Sequence, residues 1–277
     1  MLIEAKPRAR ERLAEGLKLL SEGRYAEGWP LYEARLEIPE LHSPPLPIAL
    51  PIWQGEDLIG KRLVVFGEQG LGDQIMFARF IRDLTAMGAA LGYLVSPPVA
   101  PLFPGSVGVG EGSRFTVQGD YRVAVGSLPH RLGITLDTIP TRRYVHIEAP
   151  RVGGVGIITK GNPKHSNDAH RSLPLDYAER LLRLGRSLEP EVTGSRNLLD
   201  TARLIASLDL VVTVDSAVAH LAGAMHKPVW ILLPAHETDW RWLSGRADSP
   251  WYPTARLFRQ PAPGDWESVF HEVESSL

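Results

Sequence analysis

A short polar turn between a buried strand and a helix is the first candidate for chemistry. Residues 210–214 are apolar or β-branched, Asp215 and Ser216 follow, and small helix-forming residues begin at Ala217. Either polar side chain could cap the free amides at the helix start, and those amides also favour a phosphate group. In open α/β sheets, ligands bind beyond the carboxyl ends of the strands, where this turn lies. The pattern predicts a phosphate site or a plain helix cap.

A glycine-rich turn is the second candidate. Residues 67–73, Gly-Glu-Gln-Gly-Leu-Gly-Asp, follow a predicted strand and open a predicted helix. The G-x-x-G-x-G spacing departs from the dinucleotide fingerprint and from the Walker A pattern. Asp73, with the backbone of Gly70 and Gly72 beside it, could face a cleft and take a proton from a hydroxyl group. Capping of its own helix is an equally good role for Asp73, and glycine turns are often only tight connections, so both interpretations stay open.

A basic loop is the third candidate. Residues 160–171, KGNPKHSNDAHR, follow a predicted strand and include Lys160, Lys164 and Arg171. Ammonium and guanidinium groups match phosphate oxygens, so this loop suits a diphosphate. The alternative is an ordinary solvated surface. Its histidines lack the helical spacing of a metal site, and no Asp-x-Asp motif occurs, which argues against a metal-bridged nucleotide-sugar site.

The aromatic residues give weaker signals. His220 would lie on the first turns of the helix that begins after Ser216, where a packed core histidine is the commoner case. A tryptophan-rich segment follows between Trp240 and Trp266. Core packing is its default interpretation, and stacking on a base or sugar is the alternative.

The elements that must position these residues form an alternating α/β pattern after a helical start. Residues 1–38 contain two predicted helices joined at Glu22–Gly23, like one tetratricopeptide unit. A single unit cannot bury its own face, so it should pack on the next domain or on a partner. A proline-rich connector is expected over residues 39–60, followed by α/β domains over residues 61–148 and 149–277.

Composition narrows the class of protein. A hydrophobic content of 44%, a charged content of 22% and a net charge of −2 are ordinary for a soluble globular protein and give no reason to expect nucleic acid. The chain has no cysteine, which excludes disulfides and thiolate metal sites and fits the cytoplasm. Neither a signal peptide nor an integral membrane segment is expected.

Taken together, these segments resemble the glycosyltransferase domain of bacterial tetratricopeptide-repeat proteins, which is related to the heptosyltransferases and more remotely to protein O-GlcNAc transferases. The resemblance covers most of the chain from about residue 23 onward. It rests on EGWPLYEAR at 27–35, GEQGLGDQIMFARF at 67–80, SLP at 127–129, GNPKHSNDAHRS at 161–172, LDLVVTVDSAVAHLAGAMHKPVWILLP at 208–234 and DWRWL with DSPWYPTARLFRQ within 239–260.

The resemblance implies a GT-B fold: two Rossmann-like domains, the second holding the donor and the first facing the acceptor, preceded by the tetratricopeptide-like helix pair. It implies metal-independent transfer from a nucleotide-sugar co-substrate with no further cofactor. Asp73 matches the proposed general base. The other implied residues bind the donor or its diphosphate: Gly70, Gly72, Asp215, Ser216, Ala217, His220, and Lys164 or Arg171. Because the segment at residues 185–200 is compact, donor contacts there, including any by Glu189, stay open.

The leading hypothesis is therefore a cytoplasmic glycosyltransferase that moves a sugar to a protein or glycan hydroxyl. Asp73 and Ser216 would face one another across a cleft. The alternative is a non-catalytic nucleotide-binding or scaffold protein that retains the fold. A dinucleotide-dependent enzyme would need the fingerprint that is absent here.

Overall fold

The computed structural model describes residues 2–41, 49–110, 113, 116–165 and 167–277, with side chains from residue 8 onward. The chain divides into two compact units, Met1–Pro140 and Thr141–Leu277. Each unit is built on a parallel sheet of its own. The structural division follows Pro140, whereas the sequence pattern predicts a second α/β domain from residue 149 onward.

Two helices open the first unit: α1 (Leu2–Ser21) and α2 (Tyr25–Tyr32). Gly23 turns the chain between them with a φ of 79°, an angle that glycine adopts without steric cost. Trp29 of α2 is 2% exposed, and its indole N–H donates to the carbonyl of Ile134 at 2.8 Å. The predicted helix pair is present and packs on the α/β part of its own unit. Its kinship with tetratricopeptide repeats stays a prediction.

The sheet of the first unit has four parallel strands in the order β3-β2-β1-β4. The strands are β1 (Arg62–Phe66), β2 (Ala90–Val95), β3 (Ser106–Gly108) and β4 (Tyr121–Ala124). The helices that follow are α3 (Leu71–Phe77), α4 (Ile81–Ala86) and α5 (Leu128–Arg131). The inner residues of β1, at positions 63–65, are at most 1% exposed. A continuous apolar run is typical of a parallel strand covered on both faces.

The predicted connector is described in part. Residues 42–48, with Pro44, Pro45 and Pro47, lie outside the described residues. Further along, Ile52 forms a parallel bridge with Arg122 of β4, and the backbone N–H of Trp53 donates to the Arg122 carbonyl at 2.9 Å. This end of the connector therefore lies along the edge of the first sheet.

The sheet of the second unit has five parallel strands in the order β6-β5-β7-β8-β9. The strands are β5 (Val155–Ile158), β6 (Arg186–Ser187), β7 (Leu210–Val214), β8 (Val229–Leu233) and β9 (Ala255–Arg259). The helices are α6 (Asp168–Arg171), α7 (Leu175–Leu182), α8 (Pro190–Thr193), α9 (Leu198–Ser207), α10 (Ala217–Ala224) and α11 (Trp266–Ser276). The predicted α/β architecture with parallel sheets is confirmed.

Each sheet has one point at which the direction of strand addition reverses. In the first sheet it lies between β1 and β4, which is the pattern of half a Rossmann sheet. In the second it lies between β5 and β7, which is the flavodoxin-like order. Crevices outside the carboxyl ends of strands at such a point are where open α/β sheets bind ligands. The glycine turn follows β1, the basic loop follows β5, and Asp215 follows β7, so all three candidate segments lie at these points.

Three elements differ from what their sequence patterns predict. Apolar residues at helical spacing predict one helix over residues 73–87, but the structure begins it at Leu71 and interrupts it with a 3-10 turn at Ala78–Phe80. The sequence also predicts a helix over residues 176–186, which ends at Leu182 and is followed by the edge strand β6. A strand predicted at residues 115–117 lies partly outside the described residues, and positions 116–117 are not in a strand.

The described part of the chain contains no helix with both the length and the apolar character needed to cross a membrane.

Candidate functional site

The turn after β7 places Ser216 at the start of α10. The Ser216 hydroxyl accepts the backbone N–H of Val218 at 3.2 Å and lies 3.0 Å from the hydroxyl of Thr213. Of the two residues that the sequence offers as a cap, Ser216 takes the role. Ala217 follows as the first helical residue and is partly exposed, so the amino end of α10 is accessible to a ligand.

Asp215 lies beside this cap in a buried environment, with 9% of its surface exposed. Burial raises the pKa of the Asp215 carboxyl to about 6, and the nearby Asp239 carboxylate acts in the same direction. The guanidinium groups of Arg241 and Arg171 oppose this shift. The carboxyl group is thus poised to change charge near neutral pH, at the carboxyl end of a central strand.

Asp239 and Arg241 form an ion pair that no sequence motif predicts. Their charged groups are in direct contact, and Arg241 is 6% exposed. The guanidinium also lies over the Trp240 ring, with Cζ 4.9 Å from the ring centroid. The signal in the sequence is the Asp-Trp-Arg-Trp run shortly after β8, where a charged pair is interleaved with aromatic residues.

The basic loop after β5 holds its arginine more firmly than its lysines. Arg171 Nε lies 3.2 Å from Asp168 Oδ1, and the two side chains are 12% and 16% exposed. A Cβ at Gly161 would lie 2.4 Å from that Asp168 oxygen and 2.6 Å from Arg171 Nε, so only glycine leaves room for the pair. Lys164 is exposed, and Lys160 lies 3.8 Å from Glu191 at the surface. Arg171 is therefore the better oriented of the two predicted phosphate-binding residues.

The basic loop and the turn after β7 leave the same edge of the sheet. β5 and β7 are parallel neighbours, with Ile158 paired to Thr213 near their carboxyl ends. The buried Glu189 supports this edge, since its Oε1 accepts the backbone N–H of Thr159 at 3.0 Å.

His220 lies inside the second unit. It is 3% exposed, its Nδ1 lies 2.9 Å from the Tyr252 hydroxyl, and its ring stacks on Trp242 with centroids 5.2 Å apart. This is the packed arrangement that is commoner for a histidine at such a position. The predicted role of His220 in donor binding stays a prediction.

No group of three histidine, cysteine or acidic side chains that could hold a metal ion occurs among the residues described by the structure.

In the first unit, Asp73 lies in the first turn of α3. One carboxylate oxygen accepts the backbone N–H of Gly70 at 3.0 Å, and Gly70 is the residue that caps α3. Asp73 is the third residue of α3, and its bond to Gly70 closes the glycine turn. This role is similar to the helix capping that the sequence allows. Its predicted role as a base, the donor contacts predicted for Gly70 and Gly72, and the predicted approach of Asp73 to Ser216 stay predictions.

Residues from two other segments support the glycine turn. Gln74 of α3 is 1% exposed and exchanges two hydrogen bonds with Ser96 after β2, at 2.9 and 2.8 Å. Glu68 is 4% exposed and binds Arg35 from the helix pair, at 2.6 Å for the shortest contact. Neither contact is predicted from the sequence, although a carboxylate directly after a buried strand is a signal for a buried partner.

Comparison with known proteins finds a family model that matches part of the chain. Residues 166–242 match the model of glycosyltransferase family 9 (heptosyltransferase). Protein FlbA from Caulobacter vibrioides is 29% identical over 327 residues, an alignment that covers 96% of this chain and 54% of FlbA. The chain thus spans about half the length of this curated relative.

Two solved structures are similar in fold. The glycosyl transferase family 9 structure from Veillonella parvula gives a TM-score of 0.52 at 13% identity, covering 80% of this chain and 91% of that one. The iron-containing dodecameric glycosyltransferase TibC from enterotoxigenic E. coli gives a TM-score of 0.50 at 14% identity, covering 83% of this chain and 78% of that one. The chain therefore has the α/β fold of a family 9 glycosyltransferase structure, and the segment that contains Arg171 and the turn after β7 matches the sequence model of that family.

Proposed function

We propose that this chain is a glycosyltransferase that moves a sugar from a nucleoside-diphosphate sugar to an acceptor hydroxyl. The observation that carries the proposal is that Arg171 lies close enough to the start of α10 for its charge to act on Asp215, at the reversal point of the second sheet. Both lie within residues 166–242, the segment that matches the family model.

In the proposed reaction, the amino end of α10 and Arg171, with Lys164 as the mobile cation, hold the diphosphate. Asp73 takes the proton of the acceptor hydroxyl while the acceptor oxygen bonds to the anomeric carbon of the sugar. The bond between that carbon and the phosphate oxygen breaks, and the nucleoside diphosphate leaves with the electron pair. Positive charge and helix amides around the leaving group stabilise the negative charge that develops there.

We further propose that Asp73, Arg171, Lys164 and the amino end of α10 suffice for this transfer, with no metal ion and no cofactor besides the nucleotide-sugar co-substrate. The proposed acceptor is a hydroxyl group of a protein or a glycan, and the proposed location is the cytoplasm.

Thermal-shift measurements with ADP, GDP, UDP and CDP identify the nucleotide, since a ligand that binds the native state raises the unfolding temperature. A transfer assay with the matching nucleotide-sugar then compares wild type with Asp73→Ala and Asp73→Asn. Loss of a group that acts on the reacting atoms lowers the rate on the order of 10²–10³-fold. Unchanged turnover in both variants contradicts the assignment of Asp73 as the base.

A second candidate function is a nucleotide-binding protein without transfer activity. The bond between Asp73 and the Gly70 N–H favours it, because a purely structural role would explain that carboxylate. Nucleotide binding in the thermal-shift assay without any sugar-bearing product in a lysate would support this candidate.

A further inference from the structure

A buried ion pair joins the N-terminal helix pair to the glycine turn. Arg35 follows α2, and its side chain is 1% exposed. Its Nε and Nη2 donate to one oxygen of Glu68 at 3.1 and 2.6 Å. Burial disfavours the charged form of the Arg35 guanidinium, but the neighbouring carboxylate of Glu68 stabilises it.

The same pair holds both loops at the reversal point of the first sheet. The Glu68 oxygen also accepts the backbone N–H of Gly126, at 3.1 Å, and Arg35 Nη2 donates to the Ser127 hydroxyl at 2.8 Å. Glu68 follows β1 and Gly126 follows β4, so Arg35 fastens together the two segments between which a ligand crevice is expected.

A second contact fixes the next residue of the turn. The Tyr32 hydroxyl lies 3.1 Å from Oε1 and 2.9 Å from Nε2 of the Gln69 side-chain amide. Gln69 has a φ of 58°, in the left-handed region that is unfavourable for a residue with a side chain. The residue after Gln69 is Gly70, whose N–H binds Asp73.

Two alternatives explain these contacts. One is simple stabilisation, but a buried ion pair contributes little net stability relative to apolar residues of the same size. The other is geometric control of the turn, for which a guanidinium that donates to several partners at fixed angles and a directed hydroxyl are well suited. The strained backbone at Gln69 favours geometric control, since strain of this kind persists where the surroundings fix a functional segment.

We propose that Tyr32 and Arg35 are positioning residues that hold the glycine turn, and with it Asp73, in the orientation that the acceptor hydroxyl requires. The helix pair is then part of the acceptor site. The catalytic part of this inference rests on the proposed transferase function, whereas the structural part does not.

The first test measures hydrogen exchange of the full chain. Tyr32→Phe removes one hydroxyl and keeps the ring, and Arg35→Lys keeps the charge but loses the bidentate geometry. We expect exchange at residues 67–73 to accelerate at least about fivefold in each variant, while β1 stays protected. Arg12→Ala, which removes the exposed ion pair to Glu37 on the same helix pair, is the matched control and leaves the turn unchanged. Unchanged exchange at the turn in Tyr32→Phe overturns the proposal.

The second test measures transfer kinetics. We expect kcat of Tyr32→Phe and Arg35→Lys to fall on the order of 10- to 100-fold with the KM for the nucleotide-sugar unchanged, because small displacements of a reacting group cost this much. In an Asp73→Asn background, Tyr32→Phe should cost almost nothing further. An equal loss in both backgrounds identifies a purely structural role and overturns the proposal. If the wild type transfers no sugar, the proposed function fails, and hydrogen exchange alone decides whether these residues hold the turn.

Discussion

The Tyr252 hydroxyl lies 2.9 Å from Nδ1 of His220, and both side chains are buried. The contact links the first turns of α10 to the segment between β8 and β9. Gly223 leaves room for the Tyr252 ring, because a Cβ at that position would lie 2.4 Å from it. The turn that carries Asp215 and Ser216 is therefore backed by a layer of packed aromatic side chains.

Removal of the Tyr252 hydroxyl should destabilise the protein. Tyr252→Phe leaves a buried imidazole nitrogen without this partner, which lowers the free energy of unfolding by about 1–3 kcal/mol. Urea unfolding of wild type and variant measures the change. His220→Ala made in the Tyr252→Phe background should cost less than in the wild type, and strictly additive losses would show that the two groups do not interact.

Arg171 should matter more than Lys164 for binding a nucleoside diphosphate. Asp168 already orients the guanidinium, whereas the Lys164 side chain is exposed and must be ordered by the ligand. We expect Arg171→Ala to weaken binding on the order of 10- to 100-fold and Lys164→Ala by about threefold or less. Calorimetric titration with the nucleotide that gives the largest thermal shift provides the comparison. Arg203→Ala, at an exposed pair with Asp200, is the control, and the reverse order of effects would contradict the expectation.

Gly161→Ala should impair binding without unfolding the chain. The added methyl group meets the ends of two side chains, Asp168 and Arg171, and these can move away. Their displacement changes the orientation of the guanidinium. We therefore expect a loss of nucleotide affinity on the order of that in Arg171→Ala. At Gly92 a Cβ would have its nearest neighbour at an ordinary 3.7 Å, which makes Gly92→Ala the control. Wild-type affinity in Gly161→Ala would contradict this account.

Asp215 should give stability a dependence on pH. Between the ordinary aspartate pKa of 3.8 and about 6, the unfolded chain releases a proton that the folded chain retains. Stability therefore falls as pH rises through that interval and is level above it, by a total on the order of 1–3 kcal/mol. The measurement is the difference in unfolding free energy between wild type and Asp215→Asn from about pH 4 to about pH 7. A difference that stays constant with pH would contradict the buried, neutral state of this carboxyl.

Much of the fold can be predicted from the sequence, because buried parallel strands appear as continuous runs of apolar residues. The runs that became β1, β7 and β8, and the small residues of α10, are recognisable in this way. The strands β3 and β6 are not, since three-residue and two-residue edge strands carry too short a pattern. Their place in the sheets depends on pairing with β2 and β5, which is tertiary information.

The candidate site, too, can be predicted from the sequence only in part. The three loops are predicted from residue types that follow strands, and the capping role of Ser216 follows from its position. The contacts of Arg35 with Glu68 and of Asp239 near Asp215 join segments far apart in sequence. Which charged residues become buried partners is decided by strand order, and a single sequence does not contain that order.

The ion pair between Arg35 and Glu68 has a consequence for trimming the protein. Deleting residues 1–38 would remove the cation that pairs with Glu68 and would uncover Phe77, which Trp29 contacts edge-on with ring centroids 6.5 Å apart. We therefore expect a shortened version that starts at the first strand to be less stable than the full chain.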